Sequence, residues 1–294
     1  MLIALFVAAG VFGIYSYRHR LVKVNADMFR FLPDAGYTTF YADLEALRRS
    51  GTLRLLTGTK TVHEPEYKEF LRQTQFDYSK NLNAIAGATD GQRSYLLARG
   101  EFSWDRLRRY ATVHGGVCER AVCSLRANRD GRWISFISIQ PDVLGMALSS
   151  DRWAAGSFGA ARHPLREPVP VFPIWVRVSH QVLEHPEGLP LAVRIFAISL
   201  QSAERVVLSL GPAGNQSAFN LRLDASFRNN AAAETVRTQF EMQTKMLTTE
   251  LSRQHAAANA ADLMGLLTAG RFEVAGKRVV GLWPVREQLL RALE

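Results

Sequence analysis

The residues best suited to chemistry by type and spacing are the only two cysteines, Cys118 and Cys123, in the run Cys-Glu-Arg-Ala-Val-Cys. This spacing is neither a Cys-x-x-Cys redox pair nor half of a four-ligand zinc site, and no Cys-x-x-Cys-His haem attachment occurs. Two readings stay open: a local disulfide, which needs an oxidising compartment, or two buried thiols on neighbouring elements. His180 and His185 flank Gln-Val-Leu-Glu. At i, i+5 they point about 140° apart on an ideal helix, too far to share a metal ion, and read as loop or surface histidines. His114 ends an amphipathic stretch, where an imidazole supports the C-terminal helix dipole.

Nucleophilic and phosphate chemistry leave no trace. There is no Gly-x-Ser-x-Gly, Ser-x-x-Lys or His-Glu-x-x-His, no P-loop, and no Gly-x-Gly-x-x-Gly after a strand. Asp43 and Glu45 stand where a helix begins, and negative charge is favourable there without catalysis. Arg48 and Arg49, like Arg106, Arg108 and Arg109, cluster on predicted helix faces; solvated surface is the plain reading, an acidic partner or lipid headgroup the alternative. Trp104, Trp133, Trp153, Trp175 and Trp283 are dispersed as packing residues would be. The sequence therefore nominates no catalytic residue, no cofactor-binding residue, no cofactor and no metal ligand.

The elements that would position any site come next. A chain of 294 residues can form one large or two ordinary domains, and 47% hydrophobic with 21% charged residues describes a folded body. The net charge of +9 suits an anionic partner. No basic block, RNP-type strand or zinc-finger spacing accompanies it, so nucleic acid is disfavoured.

Leu2 to Tyr17 reads LIALFVAAGVFGIYSY without a charge, and Arg18, His19, Arg20 and Lys23 follow. At about 1.5 Å per residue this run spans roughly 24 Å, slightly less than a ~30 Å hydrocarbon core. Tyr15 and Tyr17 at the interface, with Arg18, Arg20 and Lys23 snorkelling, close the gap. No small-x-small cleavage site follows, so the segment reads as an uncleaved single-pass anchor contacting the bilayer through residues 2–17. A buried core element is the alternative. The charges after the span, taken alone, place the body in the cytoplasm.

Beyond the anchor the expected class is α+β. Tyr37 to Ala42 reads as a strand and Asp43 to Ser50 as a helix. A helix from Pro65 to Thr74 precedes a hairpin, Asn83 to Thr89 with Ser94 to Phe102, turning at Asp90-Gly91. Ser103 opens another helix. A second hairpin, Val122 to Ala127 with Trp133 to Ile139, leads to a short helix at Pro141. Gly156 to Pro173 reads as a linker. Ile174 to Ser179, a hairpin from Arg205 to Ala225, a long helix near Asn230 to Gln254, two strands in Arg271 to Trp283 and a helix from Pro284 then follow. GQRSYLLARGEF and GNQSAFNLRLDASF match in position, which predicts a duplicated β-hairpin–helix–β-hairpin–helix unit in two antiparallel-sheet/helix bodies. The expected domains are an anchor over 1–24, a first unit over 25–160 and a second over 161–294.

The phrases FRFLPDAGYTTFYADLEALRRSG, EPEYKEFLRQTQFDYSKNL and ARGEFSWDRLRRYA resemble a group of uncharacterised bacterial single-span proteins that share an apolar anchor and an LP-x-D-A…Y-x-D-L-x-A-L-R phrase. The C-terminal GRFEVAGKRVVGLWPVREQLL matches more loosely. The resemblance implies an envelope location and favours a periplasmic body, against the flanking charges; it transfers no active site. Together these features predict a membrane-tethered, non-enzymatic interaction module, an accessory or assembly subunit with protein partners in a membrane or envelope complex. An enzyme or ligand-binding receptor with its site in a cleft between the two units is the rival.

Overall fold

A computed structural model describes residues 27–33, 35–53, 65–127, 131–159, 169–213, 215–253, 259 and 262–292. A 3-10 turn, Asp27–Phe31, precedes strand β1 (Thr38–Asp43). Asp43 accepts the Ala46 amide at 2.8 Å and so starts helix α1 (Leu44–Arg49). Helices α2 (Pro65–Thr74) and α3 (Tyr78–Asn81) lead to the hairpin β2 (Leu82–Thr89) and β3 (Ser94–Gly100). Its turn needs Gly91, which adopts φ +88°. Helix α4 (Trp104–Val113) is followed by β4 (Val117–Glu119), β5 (Val122–Arg126), β6 (Trp133–Gln140), β7 (Val143–Ser149) and a 3-10 turn, Ala154–Gly159.

The second stretch begins with β8 (Ile174–Val178), α5 (His180–Glu184) and α6 (Leu191–Ser199). The hairpin β9 (Arg205–Ala213) and β10 (Asn215–Ser226) precedes the long helix α7 (Asn230–Arg253) and the short α8 (Leu263–Leu267). Strands β11 (Arg271–Ala275) and β12 (Arg278–Arg286) and helix α9 (Glu287–Ala292) close the described chain.

All twelve described strands form one antiparallel sheet in the order β11-β12-β10-β9-β8-β1-β2-β3-β7-β6-β5-β4. At its centre β1 pairs β8, from Thr39 opposite Arg177 to Ala42 opposite Ile174. Because successive strand residues point to opposite faces, this register sorts the core into two layers. One face carries the helices. Leu44, Leu47, Leu107 and Ala111 pack there on Ala98, Phe136 and Leu144, and Phe196, Val236 and Phe240 pack on Val206, Leu223, Val279 and Trp283. On the other face Met28, Ala154, Ala155 and Phe158 cover Tyr41, Ala84, Ala86, Ala88, Leu97, Ala147 and Trp175.

That second layer depends on small residues. A Cβ at Gly145 would meet Phe158 at 2.7 Å and Ile139 at 2.8 Å, so glycine admits the Ala154–Gly159 turn against the strand. The Ala155 amide donates to Ser135 Oγ at 3.0 Å, which anchors the turn in register. The first part of the expected linker is thus a packed element of the core.

The two related sheet units expected after the anchor are replaced by this single sheet. Pairing β1 with β8 removes two edges that separate sheets would have left open. Nor does hairpin–helix–hairpin–helix describe the strand order. Pro141 lies at the turn joining β6 to β7, and Val143–Ser149 is a strand, not a helix. Its residues are apolar on both faces because both are covered, which erases the alternation that marks a strand in sequence. Pro284 falls within β12 opposite Asn220. β11 pairs β12 only from Arg278 to Leu282, so Pro284 occupies an edge where proline is tolerated, and helix α9 starts at Glu287. Among the described residues no helix is long and apolar enough to cross a membrane. The anchor segment 1–24, with Tyr15, Tyr17, Arg18, Arg20 and Lys23, lies outside the described residues.

Candidate functional site

Cys118 and Cys123 stand directly opposite each other in the β4–β5 pair and are joined by a disulfide, with Cα atoms 4.0 Å apart. The bond ties β4, the short last strand of the sheet, to β5. Cys123 is buried in the helix-side core below α4. Of the two readings open in sequence, the structure contains the bonded one.

The histidines stay apart from one another. His180 Nε2 lies 3.3 Å from Glu184 on the same short helix, and both side chains are exposed. His185 follows that helix as its C-terminal cap. His114 stacks on Tyr110 with ring centres 4.1 Å apart, and its Nδ1 lies 2.9 Å from the Tyr110 carbonyl. Among the described residues no group of three histidine, cysteine or carboxylate side chains could hold a metal ion.

Carboxylates with shifted acidity are held as anions. Hydrogen bonds from Arg72 and then Gln73 draw Glu69 down to about 2. Burial would raise Asp77 and Asp90, but bonds from Ser79 and Arg93 respectively outweigh it and lower both. These are local turn and helix contacts. None holds a carboxyl group protonated near neutral pH, as a general acid would require.

The arginines divide. Arg48 donates to the carbonyls of Ser79 at 2.7 Å and Leu82 at 2.6 Å, fastening α1 to the start of β2, so it is a structural clamp and not part of a solvated face. Arg49 pairs loosely with Glu45 at 3.9 Å. Arg108 and Arg109 remain exposed on α4, on the helix side. Arg152 is held between Trp133 and Trp153, 4.7 and 5.0 Å from the ring centres, and donates to Ser124 Oγ at 3.0 Å.

The seam where the rival enzyme or receptor cleft was expected is closed. Main-chain pairing of β1 with β8 runs through it, and Phe29 lies 5.0 Å and Tyr41 6.0 Å from Trp175, ring centre to ring centre. A cleft of about 340 Å³ opens elsewhere, between the end of α7, α8 and the free edge of β12. Its hydroxyls are already committed: Thr248 donates to Thr244 and Thr268 to Met264, both main-chain carbonyls. Among the described residues Arg286 is the single charged side chain in the lining, and no acid and base converge there.

Two surfaces were not read from the sequence. One is an apolar strip on α6 and α7, where Leu191, Ile198, Met242 and Met246 are 74, 49, 62 and 59% exposed. Gln243 holds the two helices together, donating to Ile195 O at 3.1 Å and Ser199 Oγ at 2.8 Å. The i, i+7 spacing of the α6 pair and the i, i+4 spacing of the methionines put each pair on one helix face, a signal available in sequence. The other is the uncovered, arginine-bearing face of β10, β12 and β11. Its signal was the alternation Asn220-Leu-Arg-Leu-Asp-Ala-Ser226.

No protein-family model matches the chain, and no curated protein does. Among solved structures it is similar to crystal form I of TP0453, with a TM-score of 0.51 and 10% identity over 91% of this chain and 96% of that one. Crystal forms III and IV of the same protein match at TM-scores of 0.48 and 0.45, with 9% identity each over 90% of this chain. At this identity the likeness to crystal form I concerns the fold alone.

Proposed function

We propose that the protein is a membrane-tethered, non-enzymatic interaction module, an accessory or assembly subunit of a membrane or envelope complex. The observation that carries this reading is the exposed strip of Leu191, Ile198, Met242 and Met246 on two helices that are packed firmly on the sheet. Exposed methionine and aliphatic side chains grouped on a rigid surface favour burial against another protein. The closed β1–β8 seam and the committed hydroxyls of the cleft add weight against a reaction site at either place. Tethering rests on the apolar run 2–17 and its basic flank. The disulfide supports an oxidising compartment, hence a periplasmic body.

The test is mild-detergent extraction from native membranes followed by native mass measurement. The reading expects a species heavier than the 32.9 kDa chain, diminished by Met242→Glu with Met246→Glu. A monomer free of any partner overturns it.

A further inference from the structure

Strand parity assigns to the face opposite α7, α8 and α9 a set of positions unlike any other in the sheet. They are Asn220, Arg222, Asp224 and Ser226 on β10, Arg278, Val280 and Leu282 on β12, and Arg271, Glu273 and Ala275 on β11; Pro284 and Arg286, at the end of β12, line the cleft against α8 instead. The alternate positions Leu221, Leu223, Val279, Trp283 and Phe272 turn the other way, into the helix-side core. No described helix packs on the arginine-bearing side, whose outer residues Arg271, Glu273 and Arg278 are all exposed. By register Arg205 on β9 and Arg177 on β8 lie at its inner margin.

Among the described residues, three arginines (Arg222, Arg271 and Arg278) with Arg205 and Arg177 at the margin therefore share one face with two carboxylates, Asp224 and Glu273. Asp224 sits among them, 3.5 Å from Arg278 and 3.9 Å from Arg222. One carboxylate cannot satisfy two guanidinium forks, each with five N–H donors. At strand spacing the platform from Arg222 to Arg271 is roughly 10 Å wide, and from Arg278 to Leu282 roughly 13 Å long.

We infer that this open face of β10, β12 and β11 docks an acidic protein surface. Three features choose that partner over other polyanions. The positive groups are arginines, whose planar forks match side-chain carboxylates two bonds at a time. No aromatic side chain occupies these positions, so bases would have no platform to stack on. Large exposed apolar side chains that could enter a bilayer are also missing from them, and Glu273 and Asp224 would repel an anionic lipid surface while a protein can place a lysine or arginine opposite each. The inference deepens the interaction-module reading, and it adds a second surface on the side of the sheet away from the apolar strip.

The experiment uses the full chain in detergent micelles and a fluorescent glutamate–serine repeat peptide as probe, with phosphatidylglycerol vesicles and oligo-dT as competitors. We expect binding that weakens with salt and falls roughly tenfold in Arg271→Glu with Arg278→Glu. The neutral pair Arg271→Gln with Arg278→Gln should lose part of that, and Arg108→Glu with Arg109→Glu on the helix side should bind as wild type. An equal loss in the helix-side variant, absence of peptide binding, or displacement of the peptide by vesicles or oligo-dT at lower concentration than by unlabelled peptide would each overturn the assignment. Those outcomes leave the mass of the extracted complex unchanged, so they are distinct from a failure of the module reading itself.

Discussion

The face of the sheet turned away from the helices is covered between β1 and β7 and open from β10 to β11. Over the first region its positions are Ala84, Ala86, Ala88, Leu97 and Ala147, small or apolar, and two 3-10 turns lie on them. Over the second they are Asn220, Arg222, Asp224 and Arg278 around the half-buried Val280 and Leu282, and no described helix approaches. The two regions share one hydrogen-bonded sheet, so the backbone does not decide which is covered. Alternate side chains do: alanines expose apolar surface that must be buried and leave room for a close cover, whereas arginines keep their forks in water. A covered region contributes to stability and an open one is left for contacts.

The largest expected difference comes from truncating the cover. Phe158→Ala should cost about 3–5 kcal/mol in a urea titration, because Phe158 is fully buried against Gly145 and Tyr95. Arg271→Ala, at the matching level of the open region, should change stability by no more than about 0.5 kcal/mol. Similar costs at the two sites would break the distinction.

Replacing Cys118 and Cys123 with alanine should cost roughly 2 kcal/mol, the loop-closure value for so short a loop. Because the bond fastens the β4 end of the sheet, opposite the β11 end in strand order, hydrogen exchange should quicken in β4 and β5 and stay unchanged in β10 to β12. Uniform quickening would mean that the sheet does not divide as described.

Alkaline pH sharpens the comparison further. Burial, with Asp90 hydrogen-bonded and charged beside it, pushes Tyr37 up to about 12; burial and the charge of Asp77 do the same to Tyr67. Tyr37 packs on the covered face, and Tyr67 lies on α2 in the helix-side layer against Tyr78. The ordinary tyrosine value is 10, so between pH 10 and 12 the folded chain holds protons that the unfolded chain has lost. Their contribution is full below pH 10 and fades through pH 12. The urea midpoint should fall across that window, and less steeply in Tyr37→Phe with Tyr67→Phe.

Much of the fold was legible in sequence. The hairpin at Asp90-Gly91, the strand from Ile174 and the helix from Asn230 each announced themselves through turn chemistry or periodicity. Val143–Ser149 did not, since burial on both faces removes alternation, and Pro284 misled because an edge strand accepts a residue that normally opens a helix. The joining of β1 to β8 is a long-range pairing that no local pattern encodes. Candidate surfaces fared worse. Arg48 resembled its neighbour Arg49 in sequence, and only the fold shows that it reaches the carbonyls of Ser79 and Leu82. The arginines of the open face are spread over four strands and the end of a fifth, and gather only when the register is known.

The central claim is that the open region of the sheet is a contact surface for a protein at the membrane. Extracting wild-type protein and the Arg271→Glu, Arg278→Glu variant from the same membranes, and measuring the native mass of each, tests it most directly. The account predicts a complex for the wild type and, for an equally folded variant, a shift toward the 32.9 kDa chain. Identical masses for the two would contradict it.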